Sequence, residues 1–231
     1  MTPKKSVILL HGATGAADQL EPLAGLLREL GFDVHSFSFS GHGQVPFGSA
    51  FGIAAFAEEL KTYIASHGLY QPYVFGYSMG GYVALYLAVR HPELMGSIAT
   101  LATKYHWTVE GAAKEVRMLD ADTITQKVPA FAAALQNRHG DNWPQLLQRT
   151  ADMMLELGSM PMLDDTVLET LTQRVMVGLG DRDNMVSPEE TLQLFHALPD
   201  ACMYMLPATG HPIEKANIPL LAQVLHQFFN R

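Results

Sequence analysis

Pro72-Tyr73-Val74-Phe75-Gly76-Tyr77-Ser78-Met79-Gly80-Gly81 runs from a short β-prone segment straight into Tyr82-Val83-Ala84-Leu85-Tyr86-Leu87-Ala88-Val89-Arg90, which reads as a helix. The centre of this stretch is a Gly-x-Ser-x-Gly pentapeptide at 76–80. A serine on a sharp strand-to-helix turn has its hydroxyl pushed out of the sheet, with the following backbone N–H groups pointing toward it. So tight a turn leaves no room for side chains two before and two after the serine, hence glycine at both places. This is the setting of an activated nucleophile, given a base.

Outward from the pentapeptide, strand and helix signals alternate. Ser6 to Leu10 is a continuous apolar run ending at His11-Gly12, as a buried parallel strand would. Gln19 to Leu30 carries Leu20, Leu23, Leu26, Leu27 and Leu30 on one helical face and stops at Gly31. Phe32 to Phe39 reads as a strand and Phe51 to His67 as an amphipathic helix. Short strands are expected at Pro72–Phe75 and Ser97–Leu101, and further strands at Arg174–Leu179 and Cys202–Leu206. Ser187-Pro188-Glu189-Glu190 opens a helix to Leu198: a cap, a proline at the first position and acids in the first turn. Glu214 to Phe229 closes the chain as a helix. Such alternation implies an α/β fold, a mostly parallel sheet of about six strands with helices on both faces.

One segment breaks the rhythm. From Thr103 to Gln173 no strand is evident, only helical patterns, scattered prolines and Met153, Met154, Met160 and Met162. An insertion of this size between two strands reads as a helical cap within one domain spanning 1–231.

Composition narrows the function. At 231 residues, 48% hydrophobic and 16% charged, the chain is long enough for a proper core and of ordinary globular composition. A net charge of −8, with no Lys/Arg cluster beyond Lys4-Lys5, argues against nucleic acid as a partner. A single cysteine, Cys202, rules out an intramolecular disulfide. The apolar run Val7-Ile8-Leu9-Leu10 is too short for a signal-peptide core or a membrane span, so a soluble cytoplasmic protein is expected. No His-Glu-x-x-His or similar metal-binding spacing occurs, and no cofactor is expected.

Among ten histidines, His211 stands out. It lies in Ala208-Thr209-Gly210-His211-Pro212, between the last strand and the last helix. In an open α/β sheet, loops at carboxyl strand ends line the active crevice. His35 falls inside a strand pattern, while His67, His91, His139, His196 and His226 fall at helix ends or on polar faces. His11 and His42 adjoin glycines near strand ends, a position from which both are expected to approach the site, and His106 lies in the insertion as a potential substrate contact. An orienting acid for His211 is offered by Asp181 and Asp183, which follow the strand ending at Gly180; the alternative role for either is an Asx turn. The loop Leu101-Ala102-Thr103-Lys104 offers no carboxylate. For a developing oxyanion, Met79 supplies one N–H at the positive end of its helix, and a second donor would come from the loop His11-Gly12-Ala13-Thr14-Gly15. No Gly-Lys-Ser/Thr follows that loop, which excludes a P-loop.

Ser, then Asp, then His is the chain order of the α/β-hydrolases. The whole chain resembles that superfamily through His11-Gly12-Ala13, Ser40-Gly41-His42-Gly43, Gly76 to Gly81, Gly180-Asp181-Arg182-Asp183 and Gly210-His211. The resemblance implies Asp183 rather than Asp181 as the triad acid, Ala13 and Met79 as the oxyanion hole, and 103–173 as the variable lid. Many members begin with two antiparallel strands ahead of the His-Gly strand. This chain starts almost at that strand, which points to a reduced sheet, as in compact carboxylesterases and monoacylglycerol lipases.

A serine nucleophile argues against the aspartate-dependent haloalkane dehalogenases and epoxide hydrolases of similar outline. The expected chemistry is acyl transfer: Ser78 attacks a carbonyl, His211 takes and returns a proton, and water clears the acyl-enzyme. The expected partner is a small-molecule ester with a short to medium acyl group; a homodimer stays open. Thioester hydrolysis, C–C bond hydrolysis or lyase chemistry, and a low-turnover small-molecule binding or signalling module share the same triad. Trp107, Phe131, Trp143, Met153, Met154, Leu157, Met160 and Met162 are candidates for an acyl pocket, although such residues more often form a lid's own core.

Overall fold

The computed structural model of the chain describes residues 4–231. Six strands form one sheet in the order β2-β1-β3-β4-β5-β6, and every pairing is parallel. They are β1 (Ser6–Leu10), β2 (Asp33–Ser36), β3 (Tyr73–Tyr77), β4 (Ile98–Leu101), β5 (Val175–Gly180) and β6 (Ala201–Leu206).

Side chains alternate across this sheet. Val7, Leu9, Phe75, Tyr77, Ala99 and Leu101 face one apolar layer, covered by α1 (Glu21–Glu29) and α10 (Ile218–Phe229). Ile8, Leu10, Val74, Ile98, Val175 and Val177 face the opposite layer, covered by α2 (Ile53–Ser66), α3 (Met79–Arg90) and α9 (Pro188–Ala197). Burial on both faces is why β1 and β5 read as apolar runs.

Two boundaries differ from the sequence reading by three residues or more. The second strand ends at Ser36 rather than Phe39. Beyond it, amides are taken by side chains instead of a neighbouring strand: the Phe39 N–H by His11 Nε2 at 3.1 Å and the Ser40 N–H by Glu59 at 2.9 Å. The last helix starts at Ile218, four residues later than Glu214, because Ile213–Lys215 forms a separate 3₁₀ turn and Asn217 caps Leu220 N–H at 3.1 Å.

Between β4 and β5 the chain builds α4 (Val109–Val116), α5 (Ala121–Lys127), α6 (Pro129–His139), α7 (Trp143–Ser159) and α8 (Asp165–Leu168), with no strand. Thr108, Asp120 and Asp164 cap α4, α5 and α8 through side-chain oxygens. Trp143, Ile124, Leu135 and Leu147 form a small core of their own. Met153, Met154 and Leu157 instead pack toward the main core beside α3.

Candidate active site

The turn between β3 and α3 is as tight as the glycines suggest. Ser78 has φ 51° and ψ −117°. A non-glycine residue so placed costs on the order of 1–3 kcal/mol, so surrounding contacts must hold it. They do: Ser78 N–H donates to Leu101 O at 2.8 Å, and Thr103 Oγ1 donates to Ser78 O at 3.1 Å. A Cβ on Gly76 would stand 2.4 Å from Gly81 backbone atoms, and one on Gly80 would stand 2.5 Å from Leu10 O. The two glycines let α3 start directly against the ends of β1 and β3.

His211 meets this turn from the loop after β6. Its Nε2 lies 3.2 Å from Ser78 Oγ, and its Nδ1 lies 2.8 Å from Asp183 Oδ2. Tyr77 Oη donates to His211 O at 2.8 Å, tying the loop to β3 next to the serine. The Asp183 side chain is fully buried. Its other oxygen, Oδ1, accepts N–H from Met185 at 2.8 Å and Val186 at 2.9 Å. Burial alone would raise its pKa, but the hydrogen bond and charge of His211 and these two amides outweigh it and hold the carboxyl below its ordinary value.

Asp181 does other work. Its Oδ1 accepts Thr209 N–H at 3.0 Å, pinning the His211 loop to the end of β5. Amides of Ala208 and Thr209 lower its pKa. The structure thus separates the two aspartates: Asp183 faces the imidazole, and Asp181 makes the turn.

Ala13 and Met79 both line a cavity of about 40 Å³ that Ser78 also lines, together with Ile53, Tyr82 and Leu157. Neither N–H donates within the protein among the described residues. A second cavity of about 40 Å³, which Ser78 also borders, is lined by His211, Glu115, Met185 and Val186. Lys104, Trp107 and Met154 border both. Of the apolar candidates in 103–173, Trp107, Met153, Met154 and Leu157 reach the serine's cavities. Trp143 belongs to the separate small core, and Phe131 and Met160 are exposed. Met162 lines a neighbouring cavity of about 140 Å³. His106 lines a cavity that does not include Ser78.

Three features of the site were missed from sequence. Lys104 Nζ sits 3.0 Å from Glu190 Oε1 and 3.9 Å from Glu115 Oε1, a charged group inside an otherwise apolar surround. His139, read as a helix-end residue on a polar face, is buried. Its Nδ1 accepts Gly43 N–H and its Nε2–H donates to Thr14 O, both at 2.9 Å. Third, His11 and His42 line neither of Ser78's cavities; their rings lie 4.8 Å apart between centroids, tilted by 52° to each other. Burial pushes the His11 pKa down to about 4 and lowers those of His42 and His139 as well, so all three are neutral. The nearest signal to the His139 contact was its position before Gly140, at the end of α6; nothing local told that this end docks on a distant loop. No group of three or more His, Cys, Asp or Glu among the described residues is placed to hold a metal ion. No helix among them is long and apolar enough to cross a membrane.

Comparison with known proteins agrees with this architecture. A family profile described as the α/β hydrolase fold matches residues 5–172. A pimeloyl-[acyl-carrier protein] methyl ester esterase of Neisseria meningitidis is 34% identical over 99 residues, covering 43% of this chain and 36% of that protein. The chain's matches span about a third of the length of the first curated relatives. A thermostable monoacylglycerol lipase of a Bacillus species is 23% identical, covering 83% of this chain and 76% of the relative. Among solved structures, the 2-hydroxy-6-oxo-6-phenylhexa-2,4-dienoate hydrolase of a Rhodococcus strain superposes with a TM-score of 0.79 at 21% identity, covering 99% of this chain and 91% of that one. With its parallel sheet, its strained serine turn and a profile match over most of its length, the chain belongs to the α/β-hydrolase fold family.

Proposed function

We propose that the chain is a serine hydrolase of carboxylic esters with short to medium acyl groups, and that 103–173 acts as its lid. The observation that carries this reading is the unbroken relay from Asp183 through His211 to Ser78, at 2.8 and 3.2 Å. In the mechanism, His211 Nε2 accepts the Ser78 proton as Oγ bonds to the ester carbonyl carbon. Asp183 holds the proton on Nδ1 and so keeps Nε2 free as the acceptor. The carbonyl oxygen becomes an oxyanion received by the Ala13 and Met79 N–H groups. Collapse breaks the bond to the alcohol oxygen, which leaves with the proton from His211. Water then repeats the sequence on the acyl-enzyme, releasing the acid and regenerating Ser78.

The lining by Ile53, Tyr82, Trp107, Met153, Met154 and Leu157 supports an apolar acyl group. The small size of the cavity at Ser78 favours short chains, unless Met153 and its neighbours give way toward the adjacent space near Met162. The ester-acting relatives are consistent with this chemistry. Turnover of p-nitrophenyl esters of graded acyl length, alongside matched thioesters, tests the reading. Rates that peak at acetate to hexanoate esters are expected. Absence of turnover on every ester by folded protein, or a clear preference for the thioesters, would overturn it.

A further inference from the structure

The two cavities that meet at Ser78 are chemically unequal. Ala13 and Met79 line only the first, His211 only the second. In ester cleavage the carbonyl oxygen must reach the N–H donors, and the departing oxygen must reach the imidazole that protonates it. Under the serine-esterase reading, on which this inference rests, the acyl group therefore occupies the first cavity and the alcohol half the second.

The second cavity contains an unanswered carboxylate. Glu115, on α4, is only 6% exposed, and its Oε2 is buried without a hydrogen-bond partner. Its Oε1 stands 3.9 Å from Lys104 Nζ, but that ammonium is held closer, at 3.0 Å, by Glu190. Glu190 in turn is fixed by its other oxygen, which accepts Ser187 N–H at 3.1 Å as part of the helix cap. One cation thus faces two carboxylates, and the cluster carries an excess negative charge. A buried carboxylate oxygen left without a donor is costly. The group that answers it must bring an O–H or N–H, and the cavity's position assigns that group to the leaving alcohol.

We infer that Glu115 is a specificity-determining residue that accepts a hydrogen bond from a hydroxyl or ammonium on the alcohol half of the ester. The favoured substrates are then esters of diols, polyols or amino alcohols rather than of plain alkyl alcohols. Lys104, held closer by Glu190, leaves Glu115 without a hydrogen-bonding cation.

The test compares kcat/KM for propyl, 2-hydroxyethyl and 2-(dimethylamino)ethyl butyrate, the last protonated at neutral pH. The native enzyme is expected to favour one or both donor-bearing esters over propyl butyrate by about tenfold, the scale of one charge-assisted hydrogen bond. Glu115→Met should erase that preference, read as the ratio of kcat/KM for each donor-bearing ester to that for propyl butyrate. Glu115→Gln, which keeps the shape and a neutral acceptor, separates the two sources. A hydroxyl keeps most of its advantage against the amide, whereas an ammonium loses it. No preference in the native enzyme, or an equal loss on all three esters in both variants, would overturn the inference while leaving the esterase reading intact. Turnover surviving Ser78→Ala would instead remove the reading beneath it.

Discussion

At Asp183 both carboxylate oxygens are engaged, one by His211 and the other by two backbone amides. An amide side chain in its place could not accept on both sides without turning an NH₂ group toward a donor. In the proposed mechanism Asp183→Asn therefore presents the wrong imidazole tautomer, and kcat should fall by roughly 10³–10⁴-fold. Asp181→Asn, which touches only the Thr209 amide, should cost less than about tenfold in kcat. Steady-state kinetics of the two variants, with circular dichroism to check folding, decide the point; equal losses would contradict the division of labour. The pentapeptide and the order Ser, Asp, His made most of this constellation legible before any coordinates. The choice between the aspartates was not legible from their local sequence, because both follow the same strand end and both suit a turn. It came from the family resemblance; Asp183 is the aspartate that stands beside His211, and the kinetics of the two variants test its role.

Among the elements, α6 has the least obvious part. Its last residue, His139, bridges the Ala13 loop at Thr14 and the neighbouring loop at Gly43, while Gln44 Nε2 donates to Arg138 O at 3.1 Å. Thr14 itself sits at φ 55°, and its carbonyl accepts from His139, so the loop that carries Ala13 is held partly by a helix from between β4 and β5. Removing that bridge with His139→Ala should lower kcat by roughly 10- to 100-fold with a smaller effect on KM, since a displaced donor weakens the transition state more than the ground state. Added imidazole should recover part of kcat. A variant with lower thermal stability but unchanged kcat would make His139 a packing residue only. The sequence hid this contact because helical periodicity reports which face of a helix is apolar. It does not report where a helix end docks. The strands, by contrast, were read to within a residue or two wherever burial on both faces produced a continuous apolar run. Where the chain left the sheet early, after Ser36, side-chain acceptors such as His11 and Glu59 replaced strand pairing, and no local pattern announces such partners.

For the molecule as a whole, the buried histidines set how stability responds to acid. His11 titrates near 6.5 when unfolded and at about 4 when folded. A group whose folded pKa is depressed contributes stability fully above the unfolded value and loses it as pH falls toward the folded one. Stability is thus expected to decline between pH 6.5 and about 4, by roughly 3 kcal/mol from His11 alone, with His42 and His139 acting in the same direction. Urea unfolding at pH 7.5, 5.5 and 4.5 reads this directly, and a flat profile over that range would contradict the burial of neutral imidazoles. The fold class was the most legible feature at this scale, since alternating apolar strands and amphipathic helices admit few arrangements besides a covered parallel sheet. The way α4 and α7 come to border the cavities at Ser78 was not, because helix–helix contacts leave no spacing signature along the chain. The proposed function turns on Ser78 forming a bond to the acyl group. The most direct measurement is mass spectrometry of protein acid-quenched within milliseconds of mixing with p-nitrophenyl butyrate. A butyryl adduct on the peptide carrying Ser78, absent in Ser78→Ala together with turnover, is the expected result; turnover without any adduct at Ser78, or persisting in Ser78→Ala, would contradict it.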